Sequence, residues 1–416
     1  MLVFHVDANS AYLSWTAANL LENGFDTDLR TVPSAIAGDP ENRHGIILTK
    51  SIPAKKYGIQ TGESLYQAFQ KCPNLLVFPP DYDLYLLCSE AMYQILYEYT
   101  PVIQRYSVDE CFCDMTRSPQ AQKNPVAVAT EIKERIKDEL GFTVNIGIGH
   151  NKLCAKMAGE LKKPDMVHTL LTQTEIESKM WPLDVSELFM VGRATDSKLK
   201  RININTIGEL AKTNRTLLKS LLKSHGLLVH DYANGIDHSE VITNDMIIQK
   251  GLGNGLTYAY DLETRQEISM ELLALCERVG ARLRRMNCYA GLLSVYLRNK
   301  NLYGYSHQIK LHSSIKTTTE LFGVAECLVD EMWDREPIRA MSVHVSNLTR
   351  DNQVQITLFD SKDKLEWECI DKTVDLIRKK FGEKSIFRGT FTNSDIEPVQ
   401  GGVNNGNYIM MGGYKQ

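Results

Sequence analysis

The chain has 416 residues, 43% apolar and 24% charged, with a formal net charge of −4. That length exceeds one ordinary domain and predicts two to four, with the composition of a soluble globular protein. No apolar run reaches the roughly 18 residues that a membrane span needs, and Asp7 interrupts the apolar N-terminal stretch, so no secretory signal is expected.

In chain order, residues 2–6 predict a short buried strand ending at Asp7, and 10–21 a helix. Residues 51–58 predict a short helix with Pro53 in its first turn and Gly58 as its stop. Thr61 is placed as the cap of a second helix that ends before Pro73. An amphipathic helix is predicted over 83–99, a hairpin around Asp109, and a helix over 125–140. A strand over 142–148 and a helix over 151–161, ending before Pro164, follow. This β-α-β-β-α-β order is that of a ferredoxin-like sheet with residues 11–78 inserted after its first strand. Short helices are expected from 171 to about 241. Gly192 sits in a turn at a helix N-terminus whose N–H groups suit a phosphate. Residues 251–255 carry three glycines and are taken as a linker into a new domain. That domain mixes strands (291–298, 342–348) with helices (270–285, 319–333), and a helix over 365–381 precedes a loose Gly/Asn-rich end.

The chemistry concentrates at Asp109 and Glu110. Adjacent residues on a strand point to opposite faces, so the two can share one ligand only where the backbone turns. Two carboxylates at a hairpin tip, with Asp7 from a neighbouring strand end, form a hard anionic pocket of the kind that holds Mg²⁺. An Asp-Glu pair by itself is more often a solvated turn. The nine cysteines are scattered, without zinc-type spacing, and point to reduced thiols in the cytoplasm. Residues 193–223 hold eight Lys/Arg against two acids, and residues 278–310 hold seven against none. Such local basic faces suit docking to a polyanion, although a solvated helix face is an equal reading of either stretch.

Taken in order, five segments resemble the Y-family DNA polymerases of the DinB/UmuC group: 5–12, 49–58, 106–114, 147–156 and Lys163-Pro164. The tail, with Lys380-Phe381-Gly382 and Met411-Gly412-Gly413, is similar to the UmuC-like branch of Gram-positive bacteria. The resemblance implies an α+β multidomain fold, a right-hand polymerase with a ferredoxin-like palm (1–10 and 79–170), small fingers (11–78) and a helical, helix-hairpin-helix-like thumb (171–240). A linker (241–256), a separate α/β little-finger domain (257–350) and a C-terminal tail (351–416) complete it. It implies template-directed synthesis past lesions, without proofreading, on primer-template DNA and dNTPs by a monomer. Asp7, Asp109 and Glu110, helped by the Ala8 carbonyl, would bind two Mg²⁺ ions. Ser10, Ala11, Tyr12, Thr49, Lys55 and Lys163 would surround the nucleotide, with Tyr12 as the steric gate against a ribose 2′-hydroxyl. Gly192, Arg193, Lys198, Arg284 and Arg298 would contact DNA. Gln355, Leu358 and Phe359 resemble the peptide by which bacterial polymerases hold the sliding clamp; a final edge strand is the other reading of that segment.

Three departures from the family pattern stand out. Asn9 replaces an Asp common among relatives. Ile52 and Lys55 stand where DinB-type members carry Tyr and Arg, and Lys lacks the bidentate fork of Arg. The turn within 188–201 has one glycine where relatives often have two. A catalytically silent adaptor for DNA and the clamp is the alternative function, and the three carboxylates argue against it. A nucleotide cyclase is a further alternative, which the basic thumb and the clamp peptide do not fit.

Overall fold

The computed structural model describes residues 1–39, 41, 45–350, 364–392, 394 and 396–398. Gln355, Leu358 and Phe359 lie outside the described residues, as does the end of the chain from 399. Two compact units divide the described residues, one holding residues 1–38 and 46–247, the other residues 39, 41, 45 and those from 248 on.

The first unit runs β1 (Val3–Ala8), α1 (Ala11–Glu22), β2 (Ser34–Ala37), β3 (Ile47–Lys50), α2 (Ile52–Lys56), α3 (Leu65–Lys71), β4 (Leu76–Phe78) and α4 (Tyr82–Tyr97). It continues through β5 (Ile103–Arg105), β6 (Glu110–Asp114), α5 (Pro119–Lys123), α6 (Pro125–Leu140), β7 (Val144–Gly149), α7 (Lys152–Glu160) and β8 (Val167–Leu170). Short helices follow: α8 (Gln173–Glu175), α9 (Arg193–Lys200), α10 (Ile207–Lys212), α11 (Arg215–Leu222) and α12 (Ser224–Ala233).

The main sheet has the order β5-β6-β1-β7-β8. Its first four strands are antiparallel neighbours, as the β-α-β-β-α-β pattern requires; β8 adds a fifth strand, parallel to β7, that the pattern did not indicate. Alternation along β1 sorts its side chains. Phe4, Val6 and Ala8 pack with α4 and α6, while Val3 lies on the other face with Phe112 and Ala155 of α7. Asp7 and His5 share that second face. Gly147 and Gly149 let the α7 backbone lie directly on β7: a Cβ at Gly147 would stand 2.0 Å from the Ala155 carbonyl oxygen. No side chain there can yield, because the obstacle is backbone.

The inserted residues form a small sheet of order β3-β2-β4, where only helices had been expected. These strands are three or four residues long, below the length at which periodicity speaks. α2 begins as predicted, with Ser51 accepting from the Ala54 N–H and proline in the first turn. The cap of α3 is Ser64, which accepts from the Gln67 N–H, and not Thr61. Thr61 instead accepts a hydrogen bond from Lys50 Nζ.

The second unit holds β9 (Gly251–Leu262), α13 (Arg265–Arg285), β10 (Tyr289–Asn299), β11 (Gly304–Ile315), α14 (Thr318–Met332), β12 (Ile338–Thr349) and α15 (Lys364–Phe381). The sheet order is β11-β10-β12-β9, and Leu293, Val295, Leu297, Val343 and Val345 form its core with α13 and α14. Residues 251–255 are therefore not a linker. They are the first half of β9, with Gly251, Gly253 and Gly255 paired to Ser346, His344 and Ser342. Three alternate glycines leave one face of this edge strand bare, which allows the His344 ring to lie over it: a Cβ at Gly253 would come within 2.9 Å of that ring.

Candidate active site

Asp7 is the last but one residue of β1 and Glu110 opens β6, and the two are direct register partners across the antiparallel pair. Asp109 precedes Glu110 in the turn between β5 and β6, and its carbonyl accepts the Ala8 N–H at 3.0 Å. The turn thus does what two adjacent carboxylates require. It takes Asp109 out of the strand, so that strand alternation does not separate it from Glu110. The Ser107 hydroxyl donates to Asp109 Oδ1.

The three carboxylates are held differently. Burial raises the Asp7 carboxyl above its ordinary value, and Lys163, with Nζ 2.5 Å from Asp7 Oδ2, offsets this in part. Burial likewise raises Asp109, and the neighbouring Glu110 charge adds to it. Burial also works against the Glu110 charge. There, however, a hydrogen bond and the charge of His5, with those of Lys156, prevail and pull the carboxyl down to about 2. His5 Nε2 lies 3.2 Å and Lys156 Nζ 2.6 Å from Glu110 Oε2. Both residues sit inside segments singled out from the sequence, yet neither was assigned a role. His5 had one signal, its place two residues before Asp7 on the same strand face. Lys156 reaches Glu110 only through the docking of α7.

Tyr12, in the first turn of α1, stacks on Tyr85 with ring centroids 4.4 Å apart and planes 5° from parallel. Tyr82 meets the Tyr12 ring edge-on at 6.2 Å. The Tyr85 hydroxyl is within 3.1 Å of Thr16 Oγ1 in the interior. Burial, with the nearby Asp109 charge, pushes the Tyr12 hydroxyl up to about 12. Tyr12 is therefore close to the carboxylate cluster and stays protonated at neutral pH.

The impB/mucB/samB family matches residues 6–160, and that family's C-terminal domain matches residues 249–358. DNA polymerase IV of Clostridium acetobutylicum is 50% identical over 395 residues, which cover 95% of this chain and 99% of that protein. DNA polymerase IV 1 of Bacillus subtilis is 33% identical over 402 residues, covering 96% of this chain and 95% of its own length. The chain belongs to the impB/mucB/samB family of Y-family DNA polymerases. Among solved structures, a Y-family DNA polymerase chimera of Dbh and Dpo4 has the same fold, with a TM-score of 0.73 at 20% identity over 84% of this chain and 100% of that one. A Dbh ternary complex aligns with a TM-score of 0.58 at 21% identity over 83% and 99%.

The remaining residues expected of a Y-family enzyme fall into three groups. Ser10 adopts a left-handed conformation at φ 48° before α1, and Ala11 is buried behind it. Thr49 lies on β3 and Lys55 is exposed on α2. Lys50, which sequence reasoning passed over, is close enough to Lys55 for the two charges to interact; burial and that repulsion lower its ammonium.

Gly192 caps α9 without a side chain, and Arg193 and Lys198 are exposed on that helix. Arg298 projects from β10 on the face away from α13 and α14, as its register with Ala340 and Gly304 requires, and donates to Thr257 Oγ1 at 3.2 Å.

Arg284 is the exception and is buried in an ion-pair cluster, not open to solvent. Its side chain, 7% exposed, is clasped by Asp371 at 2.9 Å and Asp375 at 2.6 Å from α15. A basic count along α13 cannot distinguish a solvent-facing arginine from one that pairs with a helix eighty residues later.

Among the described residues, no three His, Cys, Asp or Glu side chains converge as closely as one shared ion demands. The donor chemistry nevertheless suits a hard divalent cation: oxygen ligands only, all anionic or backbone carbonyl, at neighbouring strand ends. Two of the carboxylates are engaged by the ammonium groups of Lys163 and Lys156.

Proposed function

We propose that this chain carries out template-directed DNA synthesis past damaged bases, by nucleotidyl transfer at Asp7, Asp109 and Glu110 and without proofreading. The observation that carries this reading is the register pairing of Asp7 with Glu110, with Asp109 in the adjoining turn, inside the segment that matches the family. Two Mg²⁺ ions, once bound by them with the Ala8 carbonyl, supply charge neutralisation at the triphosphate and activation of the primer hydroxyl.

The chain's own residues do the rest. Lys163 sits beside Asp7 with a flexible ammonium that can exchange a carboxylate partner for a phosphate. Lys55 and Thr49 serve the triphosphate, and Ser10 and Ala11 shape the floor beneath the nucleotide. Tyr12 stands where a ribose 2′-hydroxyl would clash, and its stack on Tyr85 keeps the ring in place. Gly192 and Arg193 meet backbone phosphates at the N-terminus of α9, Lys198 from its last turn, and Arg298 from an open sheet face. The palm, fingers, thumb and little-finger domains are proposed as the resemblance implies them, with the little finger starting at β9. A monomer in the cytoplasm is proposed, in keeping with nine unpaired cysteines.

Primer extension with Mg²⁺ and dNTPs on a defined template tests the reading: the purified chain should extend the primer, and complete inactivity would return the silent adaptor. Tyr12→Ala in the same assay should raise the use of ribonucleotides relative to deoxyribonucleotides by roughly tenfold or more, since the discrimination is a steric clash. An unchanged ratio would return Tyr12 to a packing role.

The sliding clamp is proposed as a partner through Gln355, Leu358 and Phe359, a polar anchor with two apolar plugs. Alanine at Leu358 and Phe359 should remove clamp-stimulated synthesis, at about 2 kcal/mol or more per anchor, and spare basal synthesis. Loss of basal synthesis instead would assign Phe359 to the fold.

A further inference from the structure

Glu110 is held in a way that the family reading does not account for. Two donors from different elements, His5 of β1 and Lys156 of α7, converge on one of its oxygens, Oε2. No described donor reaches Oε1. The holder on β1 is itself fixed. His5 is fully buried, its ring lies 4.7 Å from Phe112, and its Nδ1 has no hydrogen-bond partner. A carboxylate only accepts, so Nε2 carries the proton in this bond. Gly159 of α7 leaves room beside Nδ1: a Cβ there would come within 3.3 Å of it. The Lys156 ammonium lies 5.3 Å from the Tyr106 ring and 5.6 Å from the Phe189 ring, so its approach to Glu110 is also confined.

We propose that His5 is a positioning residue of the nucleotidyl transfer: together with Lys156 it locks the Glu110 carboxylate through Oε2 and leaves Oε1 to the reacting centre. The inference rests on Glu110 being a catalytic carboxylate. A carboxylate free to rotate about its last torsion samples many orientations. One oxygen bonded from two sides has a single orientation, and electrostatic stabilisation depends on such preorganisation.

The experiment compares His5→Leu, His5→Gln and Glu110→Ala, with each His5 change also made in the Glu110→Ala background. Single-nucleotide insertion is measured at saturating Mg²⁺, with thermal melting and Mn²⁺ binding by electron paramagnetic resonance alongside. His5→Leu should lower kcat by roughly 10- to 100-fold, the scale of one hydrogen bond to a charged group, with the KM for dNTP little changed. It should also weaken Mn²⁺ binding. His5→Gln, whose amide nitrogen can reach where Nε2 stood, should restore most of kcat. In the Glu110→Ala background neither change should matter further.

An unaltered kcat in folded His5→Leu overturns the proposal, as does a loss that persists undiminished in the Glu110→Ala background. Full activity of Glu110→Ala overturns the carboxylate assignment itself, and the proposal with it. Should His5→Leu melt below the assay temperature, Lys156→Met against Lys156→Arg gives the same comparison from the other donor. A kcat drop in Lys156→Met with rescue by Lys156→Arg supports the lock, and equal behaviour of the two overturns it.

Discussion

Asp109→Ala should cut primer extension by roughly three orders of magnitude, about 4 kcal/mol of transition-state stabilisation. Asp109 opens the carboxylate cluster on the side of Tyr12, and no other described acid can take its place in the turn before β6. Thermal stability should hold or rise. Burial and the Glu110 charge both disfavour the ionised Asp109 in the fold, so its removal relieves strain. Such a trade of stability for function is usual at sites that gather like charges. Primer-template affinity should not fall, because the carboxylate repels phosphate. Extension at the parental rate by a clean preparation would remove Asp109 from the site.

Arg284→Ala should destabilise the second unit by about 3–5 kcal/mol, the cost of leaving a buried partner charge alone. The Asp371 side chain is only 7% exposed, and it also accepts the Thr318 N–H at 2.8 Å at the start of α14. Loss of the guanidinium would leave that carboxylate without its close ion pair; Arg388 stands 3.8 Å away. Chemical denaturation should show the loss, and the salt dependence of DNA binding should keep its slope. A shallower salt slope with undiminished stability would restore Arg284 to the DNA surface.

Much of the first unit was legible because its long elements have strong local grammar. Helix α6 begins at a proline behind Asn124, which caps it, and ends at Gly141 in a left-handed conformation. Asn151 caps α7 by accepting from the Cys154 N–H. The capping box of Thr264 and Glu267, which starts α13 five residues before the predicted bound of 270, was equally local and was overlooked. The glycines of β9 misled for a physical reason. Glycine is a turn signal only where the chain needs positive φ, and in β9 the glycines serve close approach by His344 instead.

The sequence by itself determined which chemistry is present: carboxylates at Asp7, Asp109 and Glu110, the strand-helix order that brings them together, and the family. These are matters of residue type, spacing and hydrogen-bonded periodicity, which are local. Only the tertiary structure decided which charges face each other. Lys163 stands on Asp7, Lys156 and His5 on Glu110, and Arg284 on α15 rather than in solvent. Charge pairing depends on distances across a few ångströms between residues tens of positions apart. Those distances are set by backbone approaches such as α7 on Gly147, and no local pattern in the chain encodes them.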